Sequence, residues 1–231
     1  MIGIIGAMSV EVKLLIKQMS DVKRVSKAKM TFYQGKLEDK DVVVVRCGVG
    51  KVNAAICTQL LIDQFNVSAV INTGVAGGLM PELEVGDVVV SSELMEHDMD
   101  VTALGFRFGQ IPDMDKSVFK ADRQLIDLAV KCSKEVLEGK KVVVGPIVSG
   151  DQFISRTEKV EFLKNVFNGY AVEMEGAAIA HCAYLNGVPF VVIRGISDKA
   201  DEKSGMSFEE FTQMAARNSS EIVRRMLRYW K

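Results

Sequence analysis

Three acidic residues stand in settings where a charged side chain is unusual. Glu173 and Glu175 lie where an apolar stretch runs into an alanine-rich segment, and Asp198 follows a long apolar run. Carboxylates among apolar and small residues cost free energy unless they bind something. Strand alternation would place Glu173 and Glu175 on one face if the strand extends that far. The alternative is a purely structural role: either glutamate could be an acid at a helix N-terminus, and Asp198 could be a helix N-cap.

A further carboxylate, Glu11, follows the first apolar run and is by itself an ordinary residue for the first turn of a helix. Carboxylates at several strand ends suit the transfer or hydrolysis of a glycosidic bond. That chemistry needs an acid for the leaving group, an anion near the cationic sugar and a base for water.

Glycine-rich segments follow four of the predicted strands. In α/β proteins, ligands bind beyond the carboxyl ends of the strands, where glycine lets backbone amides approach a ligand closely. Each segment alone predicts only a turn, but four of them at the same edge of one sheet predict a binding site. The segments are residues 6–11, 72–78, 148–151 and 194–198.

Other chemistries lack the residues that they need. The segment Gly48–Val52 resembles part of a phosphate-binding loop, but its first glycine is misplaced and Val52 replaces the Ser or Thr that would hold magnesium. No GxGxxG follows the first strand, and no serine or cysteine nucleophile motif occurs. His97 and His181 form no metal pair at a sensible spacing, and we interpret both as structural. We therefore expect neither a metal nor an organic cofactor.

Short β-branched runs predict the strands of a parallel or mixed sheet. Helical spacing of apolar residues occurs between these runs, and no linker divides the chain. We therefore predict one α/β domain over residues 1–231, with a central mixed sheet flanked by helices. The predicted strands are Ile2–Ile5, Val42–Val45, Val70–Asn72, Val88–Val90, Val142–Val144 and Phe190–Ile193.

Five segments are predicted to be helical. A last helix from Phe208 to Tyr229 would take Ser207 as its N-cap and Glu210 as its capping-box partner. The longest stretch without clear periodicity is 96–120, and a long loop in a compact domain usually serves function or assembly. The other predicted helices contain Val10, Leu14 and Leu15; Val52, Ile56 and Leu60; Leu125, Leu128 and Ala129; and the alanine-rich residues 174–185.

The formal net charge of −1 argues against nucleic acid or an anionic membrane as the main partner, because both reward a basic excess. The N-terminus has no signal-peptide pattern. The longest aliphatic stretch, Val42–Val45, is far shorter than the ~20 residues of a membrane span. The expectation is a cytoplasmic protein, with buried free thiols at the widely spaced residues Cys47, Cys57, Cys132 and Cys182.

As a set, these motifs resemble those of the bacterial 5′-methylthioadenosine/S-adenosylhomocysteine nucleosidases, a family of the purine nucleoside phosphorylase-like superfamily. The resemblance implies a nucleoside phosphorylase-like fold and hydrolysis of 5′-thio-substituted adenosines. The match covers nearly the whole chain, in Ile4–Met8, Gly48–Val52, Asn72–Gly74, Gly86–Val88, His97–Asp98, Val101–Ala103, Val148–Asp151, Val172–Glu175, Ile196–Asp198 and Met206–Phe208.

The resemblance also implies roles for Asp198, Glu175 and Glu11. Asp198 would donate a proton to adenine N7, so that adenine leaves as a neutral base. Glu175 would hold the ribose 2′- and 3′-hydroxyls, and Glu11 would position or deprotonate the attacking water. Ser197 and Arg194 would support Asp198 and Glu175.

The remaining implied contacts surround the nucleoside. Phe153 would stack on adenine, and the backbone around Ile154 would recognise its N1 and amino edge. Met174 would pack on the sugar face, and Val75 would lie near the ribose or the water. The wall around the 5′-substituent would consist of Met8, Val49 and Phe208.

In this family the loop that contains Val101, Leu104 and Pro112 reaches into a neighbouring subunit's pocket. The resemblance therefore implies a homodimer in which residues 97–112 complete the neighbour's site. The partners expected are a small nucleoside and a second subunit, with neither nucleic acid nor membrane.

Two alternatives remain open. A phosphorylase of the same superfamily would carry an arginine-bearing segment after the first strand, whereas residues 7–14 contain no arginine and present Glu11, whose charge repels phosphate. A non-catalytic nucleoside-binding protein would be favoured by loss of one of the acids Glu11, Glu175 and Asp198, but all three are present.

The sequence departs from the family pattern at two places. Position 75 is Val, where many relatives have a small hydroxyl residue, and Ser9-Val10 stands in place of an acidic pair. Bulkier 5′-substituents, including the aminofutalosine type, also stay open.

Overall fold

The computed structural model describes residues 1–200 and 204–230 of the chain, which contain ten strands and six α-helices. The strands are β1 (Ile2–Gly6), β2 (Ser20–Lys27), β3 (Met30–Leu37), β4 (Lys40–Arg46), β5 (Ala69–Gly78), β6 (Val88–Glu96), β7 (Phe119–Lys120), β8 (Val142–Ser149), β9 (Ala171–Glu173) and β10 (Phe190–Asp198). The helices are α1 (Ser9–Gln18), α2 (Lys51–Phe65), α3 (Arg123–Val136), α4 (Thr157–Phe167), α5 (Gly176–Leu185) and α6 (Ser204–Tyr229). No helix among the described residues is long and apolar enough to cross a membrane.

The strands form one mixed sheet, as predicted, and five of them close into a ring. β5 pairs in parallel with β10, β10 pairs antiparallel with β6, and β8 runs parallel to both β6 and β9. β9 then pairs antiparallel with Gly77 and Gly78 at the end of β5, which closes the ring. Outside the ring, β1 joins β5 to β4, and β3 and β2 extend the sheet beyond β4.

The helices cover both faces of this sheet. α2 and α5 bury residues against one face, and α1, α3 and α6 bury residues against the other. The core residues of the strands are β-branched, which suits strands that are buried on both faces. The alanine-rich segment forms the nearly fully buried α5, as predicted, because small side chains allow it to lie close to its neighbours.

The expectation that all four glycine-rich segments share one sheet edge is wrong. β8 runs antiparallel to β5 and β10, because β6 stands between β8 and β10 with reversed direction. The glycine-rich segment at the end of β8 lies near the other three segments only because the ring closes. Ser149 pairs with Glu173 of β9, and β9 pairs with the end of β5. Residues 72–78 belong to β5 itself and form no turn, because partners on both sides continue the hydrogen-bonded ladder.

All six predicted strands are present with longer bounds. β2, β3, β7 and the helix α4 were not predicted, whereas β9 is the apolar strand that was expected to lead into the alanine-rich segment. β2 is almost entirely exposed and polar, so its sequence lacks the alternation that indicates a half-buried strand. The interval between β6 and β7 contains only a 3₁₀ turn at Thr102–Leu104, in agreement with the predicted irregular stretch.

Three details of the predicted helices are wrong. Leu14 of α1 is exposed, and Val12 takes the core position with Leu15. Val52 and Ile56 of α2 are 69% and 43% exposed, because α2 packs through the opposite side, which contains Ala54, Cys57 and Leu61. α6 begins at Ser204, so Ser207 lies inside it; a Ser followed three residues later by Glu also fits a helix interior.

Candidate active site

A cavity of about 290 Å³ opens where the ends of β1, β5, β9 and β10 meet. This volume is at the lower end of the range for small-molecule sites. Eleven predicted site residues line it: Met8, Glu11, Val49, Val75, Phe153, Ile154, Met174, Glu175, Ser197, Asp198 and Phe208. The lining also includes Ala7, Ala76, Gly77, Gln152, Val172 and Glu173.

Glu11 is held rigidly at the cavity by backbone amides. Its Oε2 atom accepts hydrogen bonds from the amides of Ala7 at 2.7 Å and Met8 at 2.8 Å. Its Oε1 atom accepts from the amide of Val75 on β5 at 3.1 Å. The residue lies in the first turn of α1, so it also caps that helix. Burial raises the pKa of Glu11, against the opposing effects of Arg194 and the three amides.

Glu173 and Glu175 have different partners, and the predicted strand alternation does not relate them. β9 ends at Glu173, whose carboxylate accepts from the amides of Glu175 and Gly176 and from the hydroxyl of Ser149. Glu173 is therefore the acid at the N-terminus of α5, which is the structural role that was the alternative for this residue. Glu175 instead turns its carboxylate to the cavity, and its Oε1 atom accepts from the Gly50 amide at 2.8 Å.

One buried arginine balances this group of acids. Arg194 of β10 is fully buried, and its guanidinium hydrogen-bonds to Glu173 and, at 2.6 Å, to Asn72 Oδ1. The same guanidinium lies 3.8 Å from Glu175 Oε2 and 4.0 Å from Glu11 Oε1. One cation thus faces three carboxylates. Burial, followed by the negative charge of Glu173, raises the pKa of Glu175 despite the opposing effect of Arg194.

Gly74 makes room for that arrangement. A Cβ atom at this position would collide with Arg194 Nη1 and Glu11 Oε1. Neither side chain can yield easily, because three amides hold Glu11 and two acceptors hold the Arg194 guanidinium. We expected the glycines to admit a ligand to the backbone; at position 74 the glycine admits the charged side chains instead.

Asp198 ends β10 and is almost fully buried at the cavity. Its Oδ2 atom accepts from the hydroxyl of Ser197 at 2.9 Å, and its Oδ1 atom accepts from the amide of Ala200 at 2.9 Å. The N-cap alternative does not hold within the described residues, because Asp198 belongs to β10, Ala200 has a left-handed φ of 52°, and the next described helix starts at Ser204.

Apolar side chains form the rest of the wall. Phe153 and Phe208 meet edge to face with their ring centroids 5.7 Å apart. Phe153 and Val49 are each about half exposed in the single chain, so the mouth of the cavity is open and apolar. Such a wall suits an aromatic base and an apolar substituent.

Four predicted site residues do not line the cavity. Arg194 lies behind the acids, and Val101, Leu104 and Pro112 belong to the irregular interval after β6. Leu104 is 75% exposed in the single chain.

Sequence reasoning assigned no role to Gln152, Asn72 or Ser149, although Asn72 and Ser149 lie inside the glycine-rich segments. No local pattern distinguishes them, because their partners Arg194 and Glu173 are distant in sequence. Among the described residues, no group of His, Cys, Asp and Glu side chains is arranged to hold a metal.

Comparisons with known proteins show the family to which this chain belongs. Residues 1–228 match the sequence model of the Phosphorylase superfamily. A 5′-methylthioadenosine/S-adenosylhomocysteine nucleosidase of Desulfotalea psychrophila is 45% identical, over 100% of this chain and 98% of its own length. The crystal structure of the nucleosidase from Neisseria meningitidis with methylthio-immucillin-A matches with a TM-score of 0.94 and 44% identity, over 99% of this chain and 98% of that one.

The nucleosidase from Colwellia psychrerythraea in complex with adenine matches with a TM-score of 0.93 and 45% identity, over 98% of this chain and 93% of that one. Identity at this level over the full length, together with the superfamily match, shows the family as well as the fold. The chain belongs to the 5′-methylthioadenosine/S-adenosylhomocysteine nucleosidases of the phosphorylase superfamily.

Proposed function

We propose that this protein hydrolyses the N-glycosidic bond of 5′-methylthioadenosine and S-adenosylhomocysteine, and also that of 5′-deoxyadenosine. The products are adenine and the 5′-substituted ribose, as methionine salvage requires. The observation that carries the proposal is the grouping of Glu11, Glu175 and Asp198 around one cavity whose wall is otherwise mostly apolar. Neither a metal nor an organic cofactor takes part.

Asp198 is the general acid that protonates adenine N7. Hydrogen bonds from the Ser197 hydroxyl and from the Ala200 amide hold the carboxyl group at the cavity. Phe153 stacks on the adenine ring and the backbone at Ile154 recognises its N1 and amino edge, so that N7 faces Asp198. A neutral purine leaves far more readily than its anion, and a well-placed acid contributes about 10²- to 10⁴-fold to such a step.

Glu175 binds the ribose 2′- and 3′-hydroxyls, with Met174 on the sugar face. The Gly50 amide occupies one side of its Oε1 atom and fixes the carboxylate. Departure of adenine leaves positive charge on the sugar, which the anions at this end of the cavity stabilise as it develops. Arg194 lies behind the acids and supports Glu175 without entering the cavity.

Glu11 positions or deprotonates the attacking water. Three amides fix its orientation, so no reorganisation is needed when water is activated. The raised pKa that burial gives to Glu11 makes it a stronger base than an exposed glutamate. Val75 lies beside it, and its side chain offers no hydroxyl to compete for the water.

We predict that adenine release does not depend on phosphate. Among the described residues, no Lys, Arg or His side chain lines the cavity, whereas four acids do. Purified protein should release adenine from methylthioadenosine at equal rates with and without 50 mM phosphate, within about 2-fold. The sugar product should be the free hemiacetal. A sugar 1-phosphate, formed only when phosphate is present, would replace the hydrolase by a phosphorylase.

We further propose a cytoplasmic homodimer in which residues 97–112 complete the neighbour's cavity. Val101, Leu104 and Pro112 would then cover the open apolar mouth near Val49. The exposed apolar residues Val52 and Ile56 of α2 support an interface on this side of the molecule, because they begin three residues after Val49. Apolar side chains that are this exposed on a helix are typical of an association surface.

Mixed dimers test the exchange of loops. Leu104→Glu and Asp198→Asn should each inactivate their own homodimer, the first through the neighbour's pocket and the second in its own. Exchanging subunits of the two variants should restore about a quarter of wild-type activity, because half of the random dimers then hold one complete site. Continued inactivity, in a mixture that mass spectrometry shows to contain heterodimers, would place the loop in its own chain's site. An active Leu104→Glu homodimer would place Leu104 outside any site.

A further inference from the structure

Lys51 is a charged residue that the mechanism does not use. It begins α2 immediately after Gly50, whose amide donates to Glu175. Its ammonium group is mostly buried and turns away from the cavity. It lies 2.8 Å from Glu96 Oε2 and 2.7 Å from Asp98 Oδ1. The segment that resembled a phosphate-binding loop thus directs its lysine to two carboxylates of the same chain.

This ion cluster joins three separate segments. The Lys51 amide donates to Asp151 Oδ1 at 2.8 Å, and the Asp151 amide donates to Asp98 Oδ2 at 2.9 Å. Lys51, Asp98 and Asp151 therefore form a closed hydrogen-bonded circuit. It connects the loop before α2 with the end of β6 and with the turn after β8 that leads to Phe153.

The ammonium group of Lys51 helps to lower the pKa of both carboxylates that it contacts. Burial acts to raise the pKa of Glu96, but hydrogen bonds from His181 and Lys51 outweigh it and lower the pKa overall. In Asp98, likewise, hydrogen bonds from Lys51 and the Asp151 amide outweigh burial and lower the pKa. Both carboxylates are therefore ionised at neutral pH, and removal of the ammonium would leave two anions that had shared one cation.

The loop before α2 packs against this circuit. Gly50 is the N-cap residue of α2 and has no side chain to fix the helix start, and its φ of 98° is one that other residues rarely adopt. A Cβ atom at Gly50 would stand 3.0 Å from Asp151 Oδ1, so the loop fits closely against the circuit. Movement of the loop would shift the Gly50 amide away from Glu175.

We infer that Lys51 is a positioning residue for the ribose subsite: its contacts with Glu96 and Asp98 hold the Gly50 amide against Glu175 and so fix the carboxylate that binds the sugar hydroxyls. The inference rests on the proposed function of Glu175. Lys51 itself does not line the cavity.

Lys51→Met removes the charge and keeps the length of the side chain. It should lower kcat/KM for methylthioadenosine by about 10- to 100-fold, the usual size of effect when a substrate-positioning group moves. The inhibition constants of adenine and of a 2′,3′-dideoxy analogue of methylthioadenosine should change by less than about threefold, since neither ligand has hydroxyls for Glu175. Lys51→Arg keeps the cation and should stay within about threefold of wild type on all three ligands.

Lys36→Met is the matched control, because it breaks an exposed pair with Asp41 on the outer strands and should leave all three constants unchanged. Lys51 does not act through the ribose subsite if Lys51→Met weakens the binding of adenine and of the dideoxy analogue as much as it lowers kcat/KM for methylthioadenosine. The same conclusion follows if the variant changes none of the three constants. If the wild-type protein releases no adenine from methylthioadenosine, the proposed function fails on its own, before any variant is compared.

Discussion

Replacement of Asp198 by Asn should lower kcat/KM for methylthioadenosine by about 10²- to 10⁴-fold, the contribution of a general acid. Asparagine has nearly the same shape, but its amide N–H is far too weakly acidic to transfer a proton to adenine N7. Its oxygen can still accept from the Ala200 amide, and the hydroxyl of Ser197 can rotate to accept from the new NH₂ group. The variant should therefore fold and bind substrate while its chemical step fails.

The measurement is single-turnover adenine release together with the Kd of methylthioadenosine. Asp122→Asn is the control, since Asp122 caps α3 far from the cavity and its loss should leave the rate constant within about twofold of wild type. Wild-type protein should also bind but not cleave the 7-deaza analogue, which has no N7 to protonate. A variant that keeps more than a tenth of the wild-type rate would exclude Asp198 as the proton donor.

The sequence allowed Asp198 and Glu175 to be singled out as candidate catalytic residues because their surroundings are apolar. Asp198 follows β10 and Glu175 precedes α5, and both stand beside residues that are buried in any α/β sheet. Glu11 gave no such signal by itself, because a glutamate in the first turn of a helix is ordinary. Its position at the cavity depends on the Val75 amide, which belongs to β5 and is far away in sequence.

The closure of the ring was beyond sequence reasoning. β9 has three residues and pairs with the last two residues of β5, and neither fact leaves a pattern in the chain. Periodicity also misplaced the core side of α2, because it identifies apolar residues without telling a core from an association surface. Val52 and Ile56 carry the apolar pattern, yet Ala54 and Cys57 face the sheet.

The charge balance of the site explains why an arginine is buried in the middle of the sheet. Glu11, Glu173 and Glu175 would repel one another in a low-dielectric interior without Arg194. A single cation for three carboxylates leaves the group with excess negative charge, which opposes an anionic nucleophile such as phosphate and favours a cationic sugar. The same excess, together with burial, raises the pKa of Glu175.

The acid limb of the wild-type pH profile follows from these shifts. Burial raises the pKa of both Glu11 and Glu175 above the ordinary glutamate value of 4.5. A carboxylate with a raised pKa takes up its proton at a higher pH, so the ionised form that catalysis needs is lost sooner on acidification. The midpoint of the acid limb of kcat/KM should therefore lie above 4.5.

Glu11→Gln should lower kcat/KM by about 10²- to 10⁴-fold, because the amide cannot take a proton from water. The Kd of adenine should change little, since the base subsite contains Phe153 and Asp198. Glutamine can keep its oxygen on the Ala7 and Met8 amides, but its NH₂ group would then face the Val75 amide. Stability should fall by about 1–3 kcal/mol for that unsatisfied pair of donors, which chemical denaturation will measure.

Adenine release in the presence of azide shows whether Glu11 acts as a base or has only a structural role. Azide attacks the sugar without losing a proton, and the neutral glutamine no longer repels it. Added azide should therefore restore adenine release in Glu11→Gln, with a 1-azido sugar as the other product, and should not restore it in Asp198→Asn, where the leaving group is still unprotonated. If azide has no effect on a folded Glu11→Gln protein that binds substrate, Glu11 only holds the backbone of residues 7, 8 and 75 in place.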